Sequence, residues 1–127
     1  MAGTIINTSN APAPIGPYNQ AVKANGFLFI SGQIAINPAT NSIDATTVAE
    51  EAEQVMKNLE AVLTAAGTDF SQVVKTTIFL SDMSLFQTVN EIYGKYFTAN
   101  FPARETVAVL GLPKNVNVEI SMTALVS

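Results

Sequence analysis

The 127-residue chain reads as an α+β fold: a mostly antiparallel sheet with two helices on one face. Three observations predict it. Asn25-Gly26 separates two strand-like runs, a strong short-range signal for a hairpin. Residues 47–66 carry apolar side chains at helical spacing. Residues 116–126 alternate, with Val116, Val118, Ile120, Met122 and Ala124 against Asn117, Glu119, Ser121 and Thr123.

Taken in order, a turn-rich start with three prolines between Ser9 and Pro17 leads into strands over Tyr18–Ala24 and Phe27–Ser31. The stretch "NPATNSID" reads as a loop. The helix over 47–66 opens with Thr47 and Glu50 at capping-box spacing and closes at Gly67. Residues 73–80, "VVKTTIFL", are rich in β-branched side chains and predict a strand. Asp82 or Ser84 caps a second helix to about Phe97, with Phe86, Val89, Tyr93 and Phe97 spaced along it. Strands over about 104–110 and 116–126 follow, separated by "GLPKN". The order is β-β-β-α-β-α-β-β within a single domain, 1–127. One sheet face is left without helices.

Composition bounds the partners. Hydrophobic residues make up 48% and charged residues 13%, about half the charge of a typical soluble domain. A surface so weakly charged predicts subunit contacts over the open sheet face. Net charge is −4 and the five lysines are scattered, which argues against nucleic acid as a partner. No apolar run is long enough to span a membrane, and the first residues do not read as a signal peptide. The expected location is cytoplasmic. With no Cys and no His, disulfides, thiolate catalysis, a Ser-His-Asp triad and the commonest metal ligands are excluded. Acid–base chemistry must therefore use Glu, Asp, Lys or Tyr.

Arg104 is the only arginine. If the last two strands form a hairpin with their apolar sets on one face, paired residue numbers sum to an odd value near 225. Val107 then lies opposite Val118, and Thr106 opposite Glu119. Arg104 falls diagonal to Glu119 on the polar face, about 7–8 Å away. A guanidinium suits bidentate capture of a carboxylate, and a nearby Glu can serve as general base to a water. A structural Arg104–Glu119 ion pair is the alternative.

The segments "APAPIGPYNQAV", "ISGQIAINP", "VVKTTIFLSDM", "FQTVNEIYGKYF", "FPARETVAV" and "LPKNVNVEI", in this order across nearly the whole chain, resemble the RidA (YjgF/YER057c/UK114) family of reactive intermediate deaminases. The resemblance implies a chorismate-mutase-like fold, with a homotrimer whose sheets form a central barrel and whose ligand clefts lie between subunits. It implies hydrolysis of 2-imino acids, 2-iminobutanoate and 2-iminopropanoate, to 2-oxo acids and ammonia, with no metal or organic cofactor. By the same resemblance Arg104 clamps the substrate carboxylate and Glu119 activates the water. Thr106 contributes backbone groups, and Ser31 and Gly32 line the pocket. Tyr18 reaches in from a neighbouring subunit, with Asn90 and Phe86 nearby. Two departures stand out: Thr106 occupies a position where many members carry Cys, and Glu105 adds a carboxylate beside the clamp. Alternation sends Glu105 to the opposite face from Arg104. Relatives described as regulators, chaperones or ribonucleases keep a non-catalytic ligand-binding trimer and an RNA-directed role open; acidic charge and absent histidine count against the latter.

Overall fold

A computed structural model describes residues 3–127. The elements are β1 (Thr4–Ile6), β2 (Ala21–Ala24), β3 (Phe27–Gln33), α1 (Val48–Ala65), β4 (Val73–Leu80), α2 (Phe86–Gly94), β5 (Ala103–Ala108) and β6 (Val118–Leu125). The order is the one the sequence predicts.

Local chemistry fixes most of these limits. Asn25 and Gly26 both adopt positive φ, 53° and 83°, the type I′ geometry that joins β2 to β3 with Ala24 aligned to Phe27. Thr47 Oγ1 accepts from the Glu50 amide at 3.1 Å while Glu50 Oε1 accepts from the Thr47 amide at 3.1 Å, closing the capping box of α1. At its other end Gly67 takes φ 80°. The Thr68 and Gly67 amides donate to Leu63 and Thr64, each at 3.0 Å, a Schellman ending. Before α2, Asp82 caps a 3-10 turn over Met83–Leu85. α2 stops at Gly94, short of the expected Phe97.

The six strands form one mixed sheet in the order β1-β2-β3-β6-β4-β5. Only β4 and β5 run parallel; the other neighbours are antiparallel. The expected hairpin of the last two strands is therefore not formed. β4 lies between them, with Thr77 aligned to Glu105 on one side and to Ser121 on the other. The cause is the β4-α2-β5 unit. A strand, a helix and a strand joined by short loops return the chain parallel to its start, and this places β5 beside β4 at the sheet edge.

Both helices cover one face. Val55, Met56, Leu59, Val62 and Leu63 of α1 are fully buried in a cluster with Leu28, Ile78, Leu80, Val118 and Ile120 of the sheet. The opposite face carries no helix and mixes apolar with polar side chains: Phe29 is 50% exposed and Val107 41% exposed, with Ile5, Phe27 and Leu125 also open, beside Lys75, Thr77, Glu105 and Glu119.

Candidate functional site

Arg104 sits on edge strand β5 in register with Thr76, so it projects from the helix-covered face. Helix α2 presents Phe86, Asn90 and Tyr93 to it, residues that share one helical face. The guanidinium carbon is 5.0 Å from the Tyr93 ring centre and 5.6 Å from that of Phe86, within cation–π range. Its Nη1 donates to Asn90 Oδ1 at 2.7 Å. Tyr93 is itself fixed, its hydroxyl bonded to Thr76 Oγ1 at 3.0 Å. Among the described residues Arg104 has no carboxylate partner, so the structural ion pair with Glu119 is not made. All the groups that hold it are neutral, which leaves its charge available to an anion. Phe101, Pro102 and Gly94 complete an open groove around it. Thr106, two residues on, shares its face.

Glu105 projects the other way, as alternation requires. It pairs with Lys75 Nζ at 3.1 Å and accepts from Thr77 Oγ1 at 2.5 Å. These hydrogen bonds hold its carboxyl below the usual range. Its charge is thus engaged on the open face and does not neutralise the clamp.

Glu119 aligns with Phe79 and also projects to the open face. Arg104 and Glu119 therefore lie on opposite faces of the sheet, contrary to the shared face expected from alternation. Glu119 lines a cavity with Ile15, Tyr18, Ser31, Gly32 and Pro113. A β-bulge in β3 makes room for it. From Ile30–Met122 to Gln33–Ile120, β3 advances three residues while β6 advances two. A Cβ on Gly32 would fall 2.9 Å from Glu119 Cδ and 3.0 Å from Cγ, so only glycine admits the carboxylate here. Burial alone pushes the Glu119 carboxyl above its ordinary value.

Tyr18 joins Glu119 within its own chain, its hydroxyl accepting from the Ile15 amide at 3.2 Å. The strap that carries Tyr18 is tied down by Gln20. That buried side chain accepts from the Thr8 amide at 2.7 Å and donates to the Thr8, Ala11 and Pro12 carbonyls. Ser31 Oγ donates to the Asn19 carbonyl at 2.7 Å, so it supports the strap from below.

The expected site residues thus fall into two halves. Arg104, Phe86, Asn90 and Thr106 make one. Glu119, Tyr18, Ser31 and Gly32 make the other. Sequence reasoning passed over Glu51 of α1, a buried carboxylate that accepts from the Asn117 amide at 2.6 Å and the Val118 amide at 3.2 Å. It pins the start of β6 just before Glu119. Its signal was visible: Glu51 stands three residues after Val48 and four before Val55, inside the apolar stripe.

The family model described as Endoribonuclease L-PSP matches residues 8–126. The chain belongs to this family, the YjgF/RidA proteins. It is 54% identical over 127 residues to a RutC family protein of Synechocystis, covering 98% of each. It is 49% identical to the human 2-iminobutanoate/2-iminopropanoate deaminase, over 95% of this chain and 88% of that protein. Identity to the chloroplastic Reactive Intermediate Deaminase A of Arabidopsis thaliana is 48%, over 94% of this chain and 64% of that longer relative. Among solved structures, a Rid-family protein of Yersinia pestis superposes with TM-score 0.96 at 48% identity, over 98% of this chain and all of that one. E. coli TdcF with bound serine superposes with TM-score 0.93 at 39% identity, over 98% and 99%. No helix among the described residues is long and apolar enough to cross a membrane.

Proposed function

We propose that this chain is a deaminase of 2-imino acids, releasing ammonia and the 2-oxo acid, at a site assembled from the Arg104 half of one copy and the Glu119 half of another. The observation that carries the reading is an arginine oriented by Asn90 and two aromatic faces, with no carboxylate among the described residues to neutralise it. Such a group binds a small carboxylate. The deaminase names of relatives near 48% identity support the same chemistry, as does the serine bound to TdcF, a small 2-amino acid.

In the proposed reaction Arg104 holds the substrate carboxylate and Glu119 takes a proton from water. The hydroxide equivalent adds to the imine carbon, giving a tetrahedral aminoalcohol. Glu119 passes the water's proton to nitrogen as the adduct forms, then takes the hydroxyl proton and delivers it to the same nitrogen; the C–N bond breaks, the C=O forms, and ammonia leaves. A carboxyl raised by burial is a better base than an ordinary Glu. Tyr18 lines the same cavity, and its hydroxyl donates to the substrate. The exposed apolar side chains of the helix-free sheet face support the homotrimer and chorismate-mutase-like barrel that the family resemblance implies, since stacking the faces removes Phe29 and Val107 from water.

The test generates 2-iminobutanoate with a threonine dehydratase and traps surviving imine with semicarbazide. Wild type should divert imine to free 2-oxobutanoate, Arg104→Ala should abolish this, and Glu119→Gln should slow it by about 100-fold or more. A wild type that binds 2-oxobutanoate through Arg104 but turns over no imine would make the protein a ligand-binding regulator instead.

A further inference from the structure

We propose that the groove beside Arg104 takes the side chain of an aromatic 2-imino acid, its ring stacked on Phe101 in the space that Gly94 leaves open. The inference rests on the site reading above and adds to it a substrate class: a 2-imino acid whose carboxylate meets the arginine while its ring lies along the groove.

The groove is lined by Asn90, Tyr93, Gly94, Phe101, Pro102 and Arg104 and holds about 380 Å³ open to solvent, a volume in the range of small-molecule sites. Its chemistry is uneven. One wall is a cation with no carboxylate partner among the described residues, and most of the rest is hydrocarbon and ring. That is the complement of an anion with an apolar tail. The rings form a row. Tyr93 and Phe97 lie 4.8 Å apart by their centres, and Phe97 and Phe101 6.3 Å, both within the range of favourable ring pairs. Tyr93 and Phe97 are buried, but Phe101 ends the row at 66% exposure. A ligand ring would continue the row at the spacing already present and take Phe101 out of water. Gly94 supplies the second observation. It is the last residue of α2, and glycine is a poor helix former. Its φ is not positive, and a Cβ there would meet no packed neighbour within 4 Å. Neither backbone nor packing therefore requires glycine at this position. What its missing side chain does is keep the groove clear.

The test compares wild type, Gly94→Leu, Phe101→Ala and Arg104→Ala. Titration calorimetry with 2-oxobutanoate and 2-oxo-4-phenylbutanoate gives the ratio of affinities for a short and an aromatic acid. Thermal melting of the ligand-free protein gives Tm, and native mass spectrometry gives the oligomeric state. Wild type should bind the aromatic acid about 10-fold more tightly. Gly94→Leu fills the groove and should erase that preference while raising Tm. Phe101→Ala, a change at an exposed side chain, should reduce the preference about 5-fold. Equal binding of the two acids by wild type, through Arg104, overturns the groove and leaves the site reading standing. A preference that survives both Gly94→Leu and Phe101→Ala overturns it as well. So does a fall in Tm together with both affinities in Gly94→Leu, the mark of a structural glycine, or a changed oligomeric state, which gives the groove to a second copy. Undiminished binding of both acids by Arg104→Ala would instead show that the proposed site itself is wrong.

Discussion

Arg104 and Glu119 lie on opposite sheet faces, so the proposed site takes its arginine from one copy and its glutamate from another. Two inactive variants, Arg104→Ala and Glu119→Gln, should therefore rescue one another when unfolded together in equal amounts and refolded. A composite site works only if its arginine half comes from the Glu119→Gln copy and its glutamate half from the Arg104→Ala copy. With random mixing each condition holds with a chance of about one half, so about 25% of wild-type activity should return. The fraction is the same for a two-fold dimer and for a closed ring of any size, because every site is one pair of adjacent halves. Residual activity of the separately refolded variants sets the baseline of the imine-diversion assay. Recovery near the baseline, with mixed oligomers confirmed by native mass spectrometry, would refute assembly of the site from two copies.

Other consequences follow from particular contacts. Burial raises the Glu119 carboxyl above its ordinary value of 4.5, and the base works only when ionised. Activity should thus fall as pH drops through a midpoint above the usual Glu range, seen as the acid limb of kcat/KM and lost in Glu119→Gln. The linkage sign is the same: a raised carboxyl favours the fold when protonated and opposes it once pH passes that value, so Glu119→Gln should melt higher near pH 7 and lose this advantage in acid. Gly32→Ala would set a methyl 2.9 Å from Glu119 Cδ; the side chain can swing away, so folding should survive while activity drops by about 10-fold or more. Glu51→Ala strips the Asn117 and Val118 amides of their acceptor and should cost about 3 kcal/mol in urea denaturation, with wild-type stability refuting the pin. Thr47→Ala removes one arm of the capping box and should cost about 1 kcal/mol by the same measurement.

Much of the molecule was legible because its causes are local. Asn25-Gly26 permits positive φ at two successive positions, and so the hairpin turn lies where the sequence puts it. Thr47, Glu50 and Gly67 act within one helical turn of themselves, and α1 begins and ends at them. Strand 73–80 matches β4 residue for residue. The predicted order counts a strand ahead of Tyr18 but gives it no range, since the three residues of β1 are too few to display alternation. The singular Arg104 was also legible as a candidate, and Asn90 and Phe86 do meet it.

What the chain by itself determined was the menu of elements, the side chains able to do chemistry, and the chemistry that lacking His and Cys forbids. Tertiary structure alone decided which strands are neighbours and which face each group occupies. Alternation sorts side chains into two sets but names neither face. The usual arbiter is burial, with apolar residues assigned to the core. Here the open face carries apolar side chains too, so Val107 of β5 sits on it at 41% exposure while Arg104 turns toward the helices. Hydrophobicity therefore could not tell core from open face at β5. The choice fell to the parallel β4-α2-β5 crossover, a contact between residues some thirty positions apart that no local pattern records.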